Sequence, residues 1–175
     1  MSFPSLATRS FPCPRGGKQA LLTLAAAAIL AGCGGSTTQY RVVEGRGYSF
    51  EAPVGWTSVR TPRALGMQHG SVDLVQVTRL PLARRYRPQL FNAVIPELDR
   101  TATELAHDTG ATLQERQTVQ VLGEPVRQYV LGFSGHVEQL TFVLRGKSNY
   151  QLLCRREDNA DDAACARLVS SFRIF

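Results

Sequence analysis

Between Thr112 and Cys154 four strand-like segments follow one another so closely that their connections constrain the fold more than any other feature of the chain. Thr112 to Val121, Val126 to Phe133, Val137 to Leu144 and Tyr150 to Cys154 are rich in valine, leucine and aromatic residues. They are separated by Gly123-Glu124-Pro125, Ser134-Gly135-His136 and Gly146-Lys147-Ser148-Asn149, each with turn chemistry. Parallel neighbours need a long crossover, so connections this short imply adjacent antiparallel strands.

Upstream, Tyr40 to Val43 and Tyr48 to Ala52 alternate apolar and polar residues around Gly45 and Gly47. A turn at Pro53-Val54-Gly55-Trp56 leads into Thr57 to Val59, and Ser71 to Leu80 reads as a strand with a well-buried face. From Gln89 the period changes: Leu90, Val94, Leu98, Ala102 and Leu105 recur every three or four residues, which predicts a helix stopping near Gly110. Pro96 either kinks that helix or starts its second half. Asp161 to Ser171 is the second helical segment, with Cys165, Leu168, Val169 and Phe172 on one face. Without internal repeats, this order predicts a single α+β domain.

The first residues have a different character. Arg9, Arg15 and Lys18 precede an uncharged run from Ala20 to Ala31 that is too short to span a bilayer comfortably, and no acidic residue accompanies them. That is the layout of an export signal. Leu30-Ala31-Gly32-Cys33 resembles the lipobox of bacterial lipoproteins. The resemblance implies cleavage before Cys33, a diacylglyceryl thioether on its sulfur and a fatty acyl chain such as palmitate on its amine. The chain then divides into a signal peptide at 1–32, an acylated cysteine and tether at 33–39, and a folded domain at 40–175. Fully stretched, the tether reaches only about 25 Å, so the domain is expected at the extracytoplasmic face of the cell membrane, or of an outer membrane if one exists.

Cysteine usage agrees with export. With Cys13 removed and Cys33 acylated, Cys154 and Cys165 are the remaining thiols, and in an oxidising compartment such a pair is expected to form a disulfide. Removing three presequence cations from the formal charge of +6 leaves +3. So mild an excess makes no case for nucleic-acid binding.

The opening GYSFEAPVGW (Gly47 to Trp56), the central GEPVRQYVLGF with HVEQLTFVLRGKSNYQLLC (Gly123 to Cys154) and the closing LVSSFRIF resemble the PsbP-like fold family, which includes photosystem extrinsic subunits and bacterial lipoproteins of the LpqN type. The resemblance implies a curved antiparallel sheet flanked by helices, and a binding or assembly role rather than catalysis. The metal- and photosystem-related residues of the plant members do not match positions in this chain.

The sequence carries few chemical signatures. His69, His107 and His136 show no paired metal spacing, and no H-E-x-x-H is present. Gly132-Phe133-Ser134-Gly135-His136 lacks the second glycine of a nucleophile elbow, and Gly45-Arg46-Gly47 lacks the third glycine of a phosphate-binding loop. Glu157, Asp158, Asp161 and Asp162 lack the pattern of a calcium hand and are expected to cap the last helix. Arg84, Arg85 and Arg87, with Tyr86 among them, precede the long helix, an unfavourable place for cations beside its partly positive end. They are candidates for contact with an anionic lipid or wall polymer, although a solvated loop is the simpler reading. No cofactor, metal or nucleic acid is expected. Two functions remain: a non-catalytic binding or assembly factor for an envelope protein or component, or a carrier or sensor of a small apolar or lipidic ligand.

Overall fold

The computed structural model describes residues 38–175. Strands β1 (Tyr40–Gly45), β2 (Tyr48–Pro53), β3 (Thr57–Arg60), β4 (Ala64–His69) and β5 (Asp73–Tyr86) precede a 3-10 turn at Pro88–Leu90 and helix α1 (Phe91–Thr109). Then come β6 (Thr112–Val121), β7 (Glu124–Gly132), β8 (His136–Glu157), helix α2 (Ala163–Ser171) and β9 (Arg173–Ile174). All paired strands are antiparallel: a six-stranded sheet in the order β3-β4-β5-β8-β7-β6 and a three-stranded one in the order β1-β2-β9. Helix α1 packs against β6 and β7, and α2 against β2 and β8. The expected α+β class is therefore observed.

The pattern of apolar residues explains how two clusters form. Tyr48 and Phe50 of β2, Leu65 and Met67 of β4, Val75 and Val77 of β5, and Tyr150 and Leu152 of β8 make the larger core with Leu168 and Phe172. Leu98 and Ala102 of α1 make the smaller one with Tyr129, Leu140 and Phe142. Leu90 and Leu105, placed on the helical stripe by periodicity, remain partly exposed, and Ala106 is buried instead. Pro96 sits inside one unbroken 19-residue helix. Its missing N–H removes one helical bond, to the Asn92 carbonyl, near the start of the helix rather than at its middle.

Three elements differ from the sequence expectation. Strand β4 leaves no alternating pattern in the sequence, because Ala64 to Met67 are all buried. The two-residue β9 is too short to leave a pattern. Most consequential, Gly146 to Asn149 do not reverse the chain: β8 runs unbroken for 22 residues. Leu140 and Phe142 pack with the α1 cluster, yet Tyr150, Leu152 and Cys154 pack in the larger core. Positions of equal parity share a face in a regular strand, so the alternation shifts between Phe142 and Tyr150. Gly146 absorbs the shift with φ 57°, a left-handed conformation in which a Cβ is strained. On the facing strand Pro81 pairs with Ser148 and Tyr86 with Gly146, so residues 82–85 bulge opposite Lys147.

Polar contacts pin both helices. Arg127 donates to Asp99 of α1 at 3.0 and 3.1 Å, and the Tyr129 hydroxyl donates to the same carboxylate at 2.7 Å. Burial works to raise the Asp99 pKa; the bonds from Tyr129 and Arg127 outweigh it and hold the carboxyl below its ordinary value. Burial, reinforced by Asp99, pushes the Tyr129 phenol well above its own. The Ser171 hydroxyl of α2 accepts the Glu51 N–H at 2.8 Å, and Arg167 donates to the Glu51 carboxylate at 2.6 Å. The Cys154–Cys165 disulfide joins β8 to α2, with both residues 2% exposed.

Candidate binding cleft

The two irregularities at Pro81–Tyr86 and Gly146 lie beside a cleft of about 430 Å3 that is open to solvent. Four parts of the chain contribute a cation to it. Arg46 lies in the β1–β2 turn, Arg60 and Arg63 flank the β3–β4 turn, Arg79 projects from β5, and Lys147 sits in the irregular part of β8. No carboxylate lines it. Thr61 shapes the β3–β4 turn, its hydroxyl accepting the Ala64 N–H at 3.0 Å while its own N–H bonds to the Ala64 carbonyl at 2.9 Å.

Arg79 is the fixed member. Its Nε donates to Ser148 Oγ at 3.1 Å, its Nη1 donates to the Arg46 carbonyl at 3.1 Å, and its guanidinium lies 5.6 Å from the Tyr150 ring centroid. Two of five N–H donors are thereby used, leaving three for a ligand. The Arg46, Arg60, Arg63 and Lys147 side chains have no hydrogen-bond or carboxylate partner among the described residues. The floor is apolar: Tyr48, 4% exposed, donates its hydroxyl to the Val77 carbonyl at 3.2 Å. Burial raises the Tyr48 phenol, with Arg60 and Arg79 pulling the other way. Gly45 is required here because a Cβ would fall 2.2 Å from the Tyr48 ring.

Arg84, Arg85 and Arg87 are placed differently from the sequence reading. Arg84 and Arg85 belong to β5, in the bulge opposite Lys147, rather than to a loop. Arg87 precedes the 3-10 turn that separates the group from α1, so the helix terminus is not their immediate neighbour. All three are exposed. They adjoin the cleft without lining it; Arg85 lines the next concavity, with Tyr86, Glu124 and Arg145.

The remaining candidates are accounted for locally. Asp161, rather than Asp162, accepts the Ala163 N–H at the start of α2, at 3.0 Å. Arg156 ties the acidic loop through the Glu157, Asp158 and Ala160 carbonyls. His69 stacks on Trp56, and His136 on Phe133 at 4.5 Å between centroids. His107 is exposed at the end of α1 beside Asp108. Among the described residues no three His, Cys, Asp or Glu side chains converge as metal ligands. Cys33, the tether up to residue 37 and Cys13 lie outside the described residues.

The solution structure of cyanobacterial PsbP (CyanoP) from Synechocystis sp. PCC 6803 superposes with a TM-score of 0.57 over 83% of this chain and 99% of that one, at 14% identity. The fold is PsbP-like. That degree of likeness describes the PsbP-like fold alone and carries no residue roles across. A crystal structure from Bacteroides thetaiotaomicron VPI-5482 aligns with 79% of this chain at TM-score 0.44 and 10% identity, and the chain spans about half, 48%, of its length. No protein-family model and no curated protein sequence matches the chain. The PsbP-like fold describes the sheets and helices; the cleft is lined from the β1–β2 and β3–β4 turns and from strands β5 and β8.

Proposed function

We propose that this protein is an extracytoplasmic lipoprotein, anchored through acylated Cys33, that acts without catalysis as a binding or assembly factor for an envelope protein or component. The observation that carries the reading is the open basic cleft on a PsbP-like scaffold. Cations with no internal partner repel one another and weaken the fold slightly; an external anion relieves that repulsion. Ser148 and Thr61 are the cleft's aliphatic hydroxyls, the Tyr48 phenol being bonded to the Val77 carbonyl, and no histidine or carboxylate lines it to activate either as a nucleophile. Such a surface binds rather than reacts.

The anchor suits this role. Six residues, Gly34 to Gln39, connect Cys33 to β1, and the cleft opens at the far end of that strand, about 17 Å from Tyr40 at roughly 3.4 Å per residue. Such a short connection keeps the domain in the membrane's vicinity. A carrier of a small apolar ligand needs an enclosed pocket of roughly 300 Å3 or more. The apolar recess beside α1, lined by Tyr86, Phe91, Leu98 and Phe142, holds only about 20 Å3. The geometry therefore favours the surface-binding role.

Crosslinking in the protein's own cells, followed by affinity capture and mass spectrometry, tests this. A stoichiometric envelope component is expected, with recovery reduced about tenfold or more by Arg60→Gln/Arg63→Gln, since lost charged contacts are worth about 1.5–3 kcal/mol each. Equal recovery from both proteins would contradict the role of the cleft, and a copurifying apolar molecule would support the carrier.

A further inference from the structure

We propose that the cleft recognises a phosphate ester, with Arg60, Arg63, Arg79 and Lys147 around the phosphate and a small polyol or sugar body over the Tyr48 floor. This deepens the binding-factor reading and rests on it. The first argument is charge: the lining carries five cations and no carboxylate. A carboxylate offers one negative charge and two coplanar oxygens. A phosphate monoester offers about −1.5 to −2 and three acceptor oxygens in different directions. Donors arriving from the β3–β4 turn, β5 and β8 approach from several sides, which suits a tetrahedral anion.

Preorganisation is the second argument. Ser148, the Arg46 carbonyl and the Tyr150 ring hold Arg79 before any ligand arrives, so little rotamer freedom is lost on binding. Volume is the third. About 430 Å3 exceeds what a phosphate alone fills, and Pro62, Leu65 and Pro81 with Tyr48 offer apolar surface to the ester's organic part.

The sequence supplies its own probe. Lys18 and Lys147 are the only lysines, and Lys18 lies in the segment assigned to the signal peptide. An amine-reactive acylating reagent followed by peptide mass spectrometry therefore reads the cleft at one residue. The acylated full-length protein is placed in phosphatidylcholine nanodiscs and labelled with glycerol 3-phosphate or with sodium chloride at matched ionic strength. Glycerol 3-phosphate at about ten times its Kd should slow Lys147 labelling about tenfold, by simple occupancy. Arg60→Gln/Arg63→Gln should raise the Kd at least tenfold, so that the same concentration slows labelling by about twofold or less. Both side chains are exposed and without internal partners, and circular dichroism verifies that the variant is folded. Arg145→Gln, outside the cleft, should leave protection unchanged.

A second arm replaces part of the phosphatidylcholine with phosphatidic acid, whose headgroup is a phosphate monoester, and omits the soluble ester. Protection by the soluble ester assigns a free or polymer-borne phosphate; protection only on anionic nanodiscs assigns a lipid headgroup. Protection in neither arm, or equal protection by chloride, overturns the proposal. Unprotected Lys147 with variant-sensitive capture of an envelope partner would overturn the ligand class alone. Protection without any captured partner would leave the ligand class standing and overturn the assembly role.

Discussion

Phe172→Ala is expected to lower the unfolding free energy by about 3–5 kcal/mol, as large-to-small substitutions at fully buried aromatic positions do. Phe172 is 0% exposed, and its ring lies 5.5 Å from that of Tyr150 and 6.2 Å from that of Tyr48. Placed just after α2, it fills the space between that helix and the two sheets. The same two tyrosines form the floor and the Arg79 support of the cleft. The substitution is therefore expected to loosen ligand binding as well. Urea unfolding measures the stability change, and Phe172→Leu, which keeps most of the volume, should cost under about 1.5 kcal/mol. Equal losses for the two variants would show that ring packing is not what secures α2.

The second large effect is at the disulfide. Cys154→Ala/Cys165→Ala removes a crosslink between residues 11 apart, and the chain-entropy model assigns a loop of that size about 3 kcal/mol. Because the bond holds the N-terminal turn of α2 to β8, the loss should fall on α2 first. Amide exchange should then quicken in Ala163–Ser171 ahead of the six-stranded sheet. Both sulfurs are buried, so reductant alone should act slowly on the folded protein and quickly near the urea midpoint. An unchanged midpoint for the double variant would contradict a stabilising role for the bond.

Where the sequence could be read, alternation and turn chemistry coincided. Thr112–Val121 was legible to the residue, because Gly110 before it and Gly123 after it mark the boundaries. The inward face of α2 was legible too, since Cys165, Leu168, Val169 and Phe172 keep helical spacing and all are buried except Val169, which is half-buried. Where the two signals separate, reading failed. Gly146 to Asn149 have the composition of a reversal, yet they make an irregularity inside one strand; composition reports that φ becomes positive, not that the chain turns back. Ala64 to Met67, buried throughout, offer no alternation to detect.

The cleft was hidden for a different reason. Attention goes to contiguous charge, as in Arg84-Arg85-Tyr86-Arg87, whereas the lining cations stand singly at 46, 60, 63, 79 and 147. The non-local pairing of β5 with β8 brings Lys147 beside the β3–β4–β5 cations, and the bond from Arg79 to the Arg46 carbonyl ties in the β1–β2 turn. One local signal was present. Gly45-Arg46-Gly47, Thr61-Pro62-Arg63 and Gly146-Lys147 each set a cation beside a glycine or proline, at positions where the sheet carries irregular backbone. Turn-borne cations that share one end of a sheet are a pattern worth seeking in chains of this kind.

The proposed role depends on where the protein resides, and one measurement addresses that most directly: the intact mass of the protein extracted from its own membranes, with Cys33→Ala fractionated in parallel. The expected mass is that of residues 33–175 plus a diacylglyceryl group and an amide-linked acyl chain, less two hydrogens for the disulfide. The variant is expected in the soluble fraction or uncleaved, without acyl mass, because each buried methylene of the anchor contributes about 0.8 kcal/mol. A wild-type mass that retains residues 1–32, or that begins at Cys33 without acyl groups, would contradict the account of a membrane-anchored binding factor.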